Sequence, residues 1–286
     1  MTENHPHAQG VVLKRHWIAI QKKLETLRAL PKDQQAEAAK ALGCELTPRL
    51  TSPPFFKDFG GQVITSATIH VQVLQPLPGL VDALVWAVPQ LFGSYLEPLK
   101  QYRDGIAGDI DIRFIDNRGL TVTTDFRRDD LSIMYSGVSD QSWFARPLAG
   151  DTVTNALIVV LPAGVQCLET NIIGFHHFYT LVTGSPPFGR VGLAWVSHET
   201  RGGTFDLDSI MTTLSHELVE MITNPISTDS AILSTHARVE CGNLACEIGD
   251  VCEGQVTIFP GTSQHPSFAA QKYWSQRENG GSGGCV

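Results

Sequence analysis

No stretch of this chain approaches the ~18 uninterrupted apolar residues that a membrane-crossing helix requires. The amino terminus, "MTENHPHAQGVVLKRHW", also lacks the charged region followed by a long apolar region that makes an export signal. The expectation is a chain without a membrane span and without a visible leader; the residues do not decide its compartment. Basic residues are in the minority, 21 Lys and Arg against 29 Asp and Glu, for a formal charge of −8. They are scattered apart from short groups such as "LKRH" and "FRRDD", so no electrostatic footprint for nucleic acid exists. Cysteine is sparse as well: six in 286 residues are too few for a disulfide scaffold, although Cys241, Cys246 and Cys252 cluster in "CGNLACEIGDVC". That cluster lacks paired C-x-x-C spacing, which leaves a local bridge or reduced thiols. Cys167 has no evident base beside it and reads as a small buried apolar residue. There is no internal repeat.

What is present is an ordinary globular composition, 42% hydrophobic and 17% charged. Two helical patterns over residues 13–43, separated by Pro31 and closed by Gly43, predict a helical amino-terminal hairpin. The Pro-rich joint "TPRLTSPPFF" then marks a boundary. Beyond it, "SATIHVQVLQPL" alternates as a half-buried strand does, and "LVDALVWAVPQLFGSYLEPLKQY" follows with helical periodicity, giving a βα unit. "GDIDIRFIDN" and "GLTVTTDF" suggest a hairpin around Asn117-Arg118-Gly119. "NALIVVLPAG" and "RVGLAWVS" read as buried strands. The predicted class is mixed α/β (α+β). A helical segment covers 1–50, one metal-binding body 51–262, and a tail 263–286 that ends Gly-rich and mobile.

The most informative stretch is "LSHELVEMITNP", residues 214–225. On a wheel at ~100° per residue, Ile210, Met211, Leu214, Leu218, Met221 and Ile222 fill one half. Ser209, Thr212, Thr213, His216, Glu220 and Thr223 fill the other. Asp208 suits the helix start, and Asn224 before Pro225 suits its end, because a residue preceding proline is pushed out of the α region. On such a helix His216 and Glu220, four apart, project together, with Glu217 to one side. This is the layout of an H-E-x-x-H metal helix with Glu at the second ligand position, a swap that Zn²⁺ tolerates because it binds carboxylate oxygen and imidazole nitrogen at similar distances. The added anionic ligand makes a bound water somewhat less acidic. The opposing reading is a solvated stripe. Against it stands the Ser and Thr character of the polar face, where a solvated helix would carry Lys and Arg.

A catalytic zinc ion takes three protein ligands and keeps one position open, so a third ligand must come from elsewhere. Downstream, "CEIGDVCEG" offers Glu247 and Asp250; upstream, "GFHHFY" offers His176 and His177 as ligand or as hydrogen-bond donor to an oxyanion. His198 and His236 are weaker candidates, better suited to the surface.

"GGQVITSATIHVQVL", "SYLEPLKQY", "LIVVLPAGV", "GFHHFY", "LAWVS", "SHELVEMITNP" and "EIGDVCEG" occur in an order that resembles the EXORDIUM-like, phosphate-induced protein family and its bacterial and fungal relatives. The similarity runs over about residues 60 to 260 and is sharpest in "SHELVEMITNP" and "EIGDVC". The resemblance implies a zincin-like metallopeptidase body. In it, His216 and Glu220 match the ligand positions, Glu217 the catalytic glutamate, Asp250 or Glu247 the acidic segment and His176 the "GYH"-like histidine. Plant members of the family are linked to cell-wall growth, and some lack the full metal motif. Two departures stand out: "NIIGFHH" lacks the cysteines that often precede that histidine, and no export signal is visible.

The leading expectation is a zinc-dependent peptidase acting on a peptide or protein substrate. His216, Glu220 and Asp250 hold Zn²⁺, with Glu247 the alternative third ligand; Glu217 is the general base and His176 stabilises the oxyanion. The strand "RVGLAWVS" is expected to pair with an extended substrate along its edge. The rivals are a metal-braced binding or structural protein and a carboxylate-rich iron or manganese site.

Overall fold

A computed structural model describes residues 11–13, 56–115, 125–126, 153–168, 172–181, 189–225, 231–234, 247–252, 254–278 and 283–286, with Thr26 and Leu30. The helical hairpin expected over 13–43 lies almost wholly outside these residues. So do the turn at Asn117-Arg118-Gly119, His236, Cys241 and Cys246.

The strands are β1 (Val11–Leu13), β2 (Phe56–Asp58), β3 (Ser66–Val73), β4 (Asp109–Ile115), β5 (Asp125–Phe126), β6 (Val153–Val160), β7 (Gln166–Cys167) and β8 (Ile172–Leu181). They continue with β9 (Gly189–Val196), β10 (Thr200–Arg201), β11 (Thr204–Phe205), β12 (Ile232–Ser234), β13 (Val256–Phe259), β14 (Phe268–Gln271), β15 (Trp274–Ser275) and β16 (Gly284–Cys285). Among the described residues two α-helices accompany them, α1 (Leu80–Gln90) and α2 (Leu207–Thr223).

Six strands form the central sheet in the order β1-β8-β9-β6-β3-β4. β4, β3, β6 and β9 run parallel, whereas β8 is antiparallel to β9 and β1 antiparallel to β8. The class is thus mixed α/β with a mixed sheet. The run "LIVV" in β6 is apolar on both faces because the sheet is covered on both. Leu157 and Val159 join Leu193, Trp195 and Phe175 on one face, while Ala156, Ile158 and Val160 join Ala194 and Val196 on the face that carries the helices.

α1 supplies the βα step between β3 and β4, burying Leu80, Ala83, Leu84, Ala87 and Val88 at helical spacing. α2 is buried along its whole length, on both halves of the wheel. Asp206, not Asp208, caps it: its Oδ1 accepts from the backbone N–H groups of Asp208 and Ser209 at 3.1 and 3.3 Å. Asn224 ends the helix as expected. The helix lies close to the sheet where glycine permits it; a Cβ on Gly192 would stand 2.9 Å from Met221 Sδ.

The carboxyl-terminal segment corrects two expectations. Residues 263–286 are not a tail: the β13–β14 hairpin straddles the boundary drawn at 262, and β14 is buried against α2. Thr212 Oγ1 donates to Ala269 O at 3.4 Å, Ala269 N–H to Asp208 Oδ1 at 2.9 Å, and Gln271 N–H to Ser215 Oγ at 2.9 Å. The Ser and Thr face of α2 therefore receives a strand's backbone, which is why it carries short polar side chains and no Lys or Arg. The end of the segment is tied too. Cys252 bonds to Cys285 across 33 residues instead of within its own cluster, and Val286 exchanges backbone hydrogen bonds with Tyr273.

The expected substrate edge along "RVGLAWVS" is also corrected. β9 pairs with β6 on one side and β8 on the other, so its backbone hydrogen-bonding capacity is spent inside the sheet. Among the described residues no helix is long and apolar enough to cross a membrane.

Candidate metal centre

Strand alternation determines which side chains of β8 reach α2. His176 is opposite Ala194 and Gly174 opposite Val196, and both of those partners point to the helix-bearing face. His176 therefore projects at α2, while His177, opposite Leu193, takes the other face. Gly174 leaves room for the glutamate below: a Cβ there would stand 2.5 Å from Glu217 Oε1.

α2 contributes His216, Glu217 and Glu220, which are 1%, 0% and 0% exposed. The turn leading into the short 3-10 segment Asp250–Cys252 brings Glu247 and Asp250 over them. Gly249 sits between the two acids, and a Cβ on it would lie 2.7 Å from Glu220 Oε1 and 3.0 Å from His216 Nδ1. Glu247 N–H donates to Asp250 Oδ2 at 3.1 Å, which fixes the turn.

All six residues singled out from the sequence come together. His216 Nε2 is 3.1 Å from Glu220 Oε2 and 3.9 Å from Asp250 Oδ1. His176 Nδ1 hydrogen-bonds Glu217 Oε2 at 3.0 Å and lies 3.6 Å from Glu220 Oε2; its Nε2 is 3.6 Å from Glu247 Oε1. Two triads, His216–Glu220–Asp250 and His176–Glu220–Glu247, each offer ligand atoms within 4.8 Å of one another. Asp250 shares its triad with His216 and Glu247 shares its triad with His176, and Glu220 belongs to both. Neither His177 nor His198 enters a triad.

His176 is a member of this carboxylate cluster, with both ring nitrogens facing acids. Asp250 is the member nearest solvent, its side chain 21% exposed while those of His176, His216, Glu217 and Glu220 are at most 3% exposed.

The electrostatics are those of charges removed from water without cationic side chains. No Lys or Arg is among the buried described residues. Burial pushes Glu217 up to about 7, against the pull of His176 and His216. Burial likewise raises Glu247, and burial together with the Glu220 charge holds Asp250 well above the usual carboxylate range. Burial alone would lower the imidazoles, but the surrounding carboxylates outweigh it. His216 rises to about 10, with Glu220 the main cause, and His176, beside Glu247 and Glu217, is held well above its ordinary value.

The cluster is also short of hydrogen bonds. Glu217 Oε1, Glu220 Oε1 and Glu247 Oε2 are buried without one, and His216 Nε2 faces Glu220 Oε2 at 3.1 Å as an ion pair. A buried polar atom left without a partner costs about 1–3 kcal/mol, and more when charged. A native fold retains such atoms where a ligand or ion satisfies them, and the donor set, imidazole nitrogen plus carboxylate oxygen, fits a divalent cation.

Three supporting residues were not singled out from the sequence for this purpose. Gln271 on β14 approaches His216 Nδ1 at 2.6 Å and donates to Gly249 O at 3.1 Å. Asn224 donates through Nδ2 to Glu247 Oε1 at 2.7 Å. Gly249 permits the closure just described. Of these, only Asn224 left a readable trace, as the polar residue ending the helix before Pro225.

No known protein-family model, no curated protein and no solved structure matches this chain.

Proposed function

We propose that the chain is a metal-dependent hydrolase, and specifically a zinc-dependent peptidase of the EXORDIUM-like kind that its motifs resemble. The observation that carries this reading is the convergence of His216, Glu220 and Asp250 from a helix and a following turn, all three offering ligand atoms to one point, with Glu220 Oε1 buried and without a hydrogen bond. These three residues would hold the ion, with Glu247 and His176 beside them. A bound Zn²⁺ supplies Lewis acidity, polarising a scissile carbonyl and acidifying a water.

The chain's own residues supply the proton chemistry. Glu217 is anchored through Oε2 by His176, which leaves Oε1 to take a proton from water and pass it to the leaving amine. Burial raises its carboxyl, which favours proton uptake over that of an ordinary glutamate. The partial exposure of Asp250 supports a site open on one side, which a closed structural ion would not need.

The test is Glu217→Gln. The variant should keep its metal and lose hydrolysis of a mixed peptide library; turnover retained at the wild-type rate would sink the assignment. A second reading, iron or manganese in place of zinc, is favoured by the excess of carboxylate over imidazole donors. Elemental analysis of protein purified without added metal separates the two.

A further inference from the structure

The geometry points to a second divalent-cation site built from His176, Glu220 and Glu247, so that the cluster is a two-ion centre with Glu220 as the shared carboxylate. This rests on the reading of the cluster as a metal centre and extends it. Glu220 belongs to both triads, with Oε1 buried without a hydrogen bond and Oε2 facing His216 Nε2 at 3.1 Å and His176 Nδ1 at 3.6 Å.

Both histidines have a side chain at Nδ1 and an acid at Nε2: His176 holds Glu217 through Nδ1 and turns Nε2 toward Glu247, while His216 has Gln271 at Nδ1 and turns Nε2 toward Glu220. A ligating histidine is normally oriented through its other ring nitrogen in this manner. The two differ in how they meet the shared acid, since His176 reaches Glu220 Oε2 from Nδ1 at 3.6 Å.

Charge gives an independent argument. Glu217, Glu220, Glu247 and Asp250 bring four carboxylates to one region, with no Lys or Arg among the buried described residues. One dication on His216, Glu220 and Asp250 leaves Glu217 and Glu247 to be compensated by a charge on His176 or by taking up protons. One dication in each triad balances all four carboxylates and leaves both imidazoles neutral, as ligation demands. The supporting contacts agree: Asn224 Nδ2 holds Glu247 Oε1 at 2.7 Å, leaving Glu247 Oε2 without a hydrogen bond.

The experiment is a count of ions on the whole chain. Protein stripped with a chelator is titrated with Mn²⁺ by calorimetry, then freed of excess metal and analysed for bound manganese. Two ions per chain are expected, with an electron paramagnetic resonance spectrum broadened by coupling between neighbouring ions. Glu247→Gln, which preserves shape, should reduce the count to one and restore an uncoupled spectrum. His176→Ala should do the same, with circular dichroism confirming that each variant is folded. A wild-type count of one overturns the two-ion assignment and leaves the single-ion reading standing, whereas a count of zero overturns both. Two coupled ions retained in folded Glu247→Gln and His176→Ala would also overturn this ligand set.

Discussion

Gln271 places its amide 2.6 Å from His216 Nδ1, on the side of the imidazole away from Glu220. The amide also donates to Gly249 O, while its Oε1 has no hydrogen bond. Amide nitrogen and oxygen exchange places by a half-turn. An imidazole that gives Nε2 to an ion carries its proton on Nδ1 and needs an acceptor there, which that half-turn provides at the cost of the bond to Gly249 O. Gln271→Leu is expected to weaken metal binding by about 10–100-fold while the chain remains folded. Gln271→Glu, an obligate acceptor, should bind within a few-fold of wild type. Competition with a fluorescent chelator reads both.

Gly249 defines how closely the acidic turn approaches the helix. In Gly249→Ala the new methyl meets Glu220 Oε1 at 2.7 Å and the His216 ring at 3.0 Å. Metal affinity should fall about tenfold or more, in line with other disturbances of ligand support. Unchanged affinity in the same chelator assay would show that the turn gives way freely.

Gly174 carries the corresponding constraint on the sheet side. Gly174→Ala drives a methyl to 2.5 Å from both Glu217 Oε1 and Thr213 Cγ2, inside the packed core. Overpacking of this kind costs about 1–3 kcal/mol. Urea denaturation should show a lower midpoint, and hydrolysis should fall further than stability does, because the displaced atom is the proposed proton acceptor.

Away from the centre, Asp58 and Arg103 give a pH-dependent contribution. Arg103 Nε donates to Asp58 Oδ2 at 2.7 Å, its Nη2 donates to Oδ1, and its Nη1 reaches Gly61 O at 2.6 Å. The guanidinium holds the Asp58 carboxyl below its ordinary value. Because the folded pKa is depressed, the contribution is present in full above the unfolded value of about 3.9 and is lost as pH falls through the folded one. Asp58→Asn should cost about 1–3 kcal/mol at pH 7. In urea melts between pH 7 and pH 2, the gap between variant and wild type should close at the acid end.

The Cys252–Cys285 bond closes a loop of 33 residues beside Asp250. Chain-entropy arguments put its contribution at about 3–4 kcal/mol. Cys285→Ser should lower the melting temperature in scanning calorimetry, and adding a reductant should lower the wild type to a similar value but leave the variant unmoved.

Much of the centre was legible because it is local. His216, Glu217 and Glu220 share one helix, whose 3.6-residue period and terminal Asn-Pro signal are written in adjacent residues. Glu247 and Asp250 stood out as acids in a turn-like segment, but which acid faces which histidine depends on a closure that Gly249 permits and no pattern encodes. Gln271 was not legible, since "FAAQ" is a short apolar strand whose docking on α2 is non-local. The same limitation made residues 263–286 read as a tail and left Cys252 between a local bridge and a reduced thiol, with Cys285 unconsidered as its partner. The central place of β9 was recoverable: "VGLAWV", apolar on both faces, is the composition of an interior strand and not of an edge.

The burial of α2 on every side bears on how this protein exchanges hydrogen with solvent. Amide protons along residues 210–222 should be among the slowest to be replaced by deuterium, released only when the whole domain opens. The buried carboxylates of α2 thus ride on the most unyielding part of the described fold, and their spacing is maintained by the core itself.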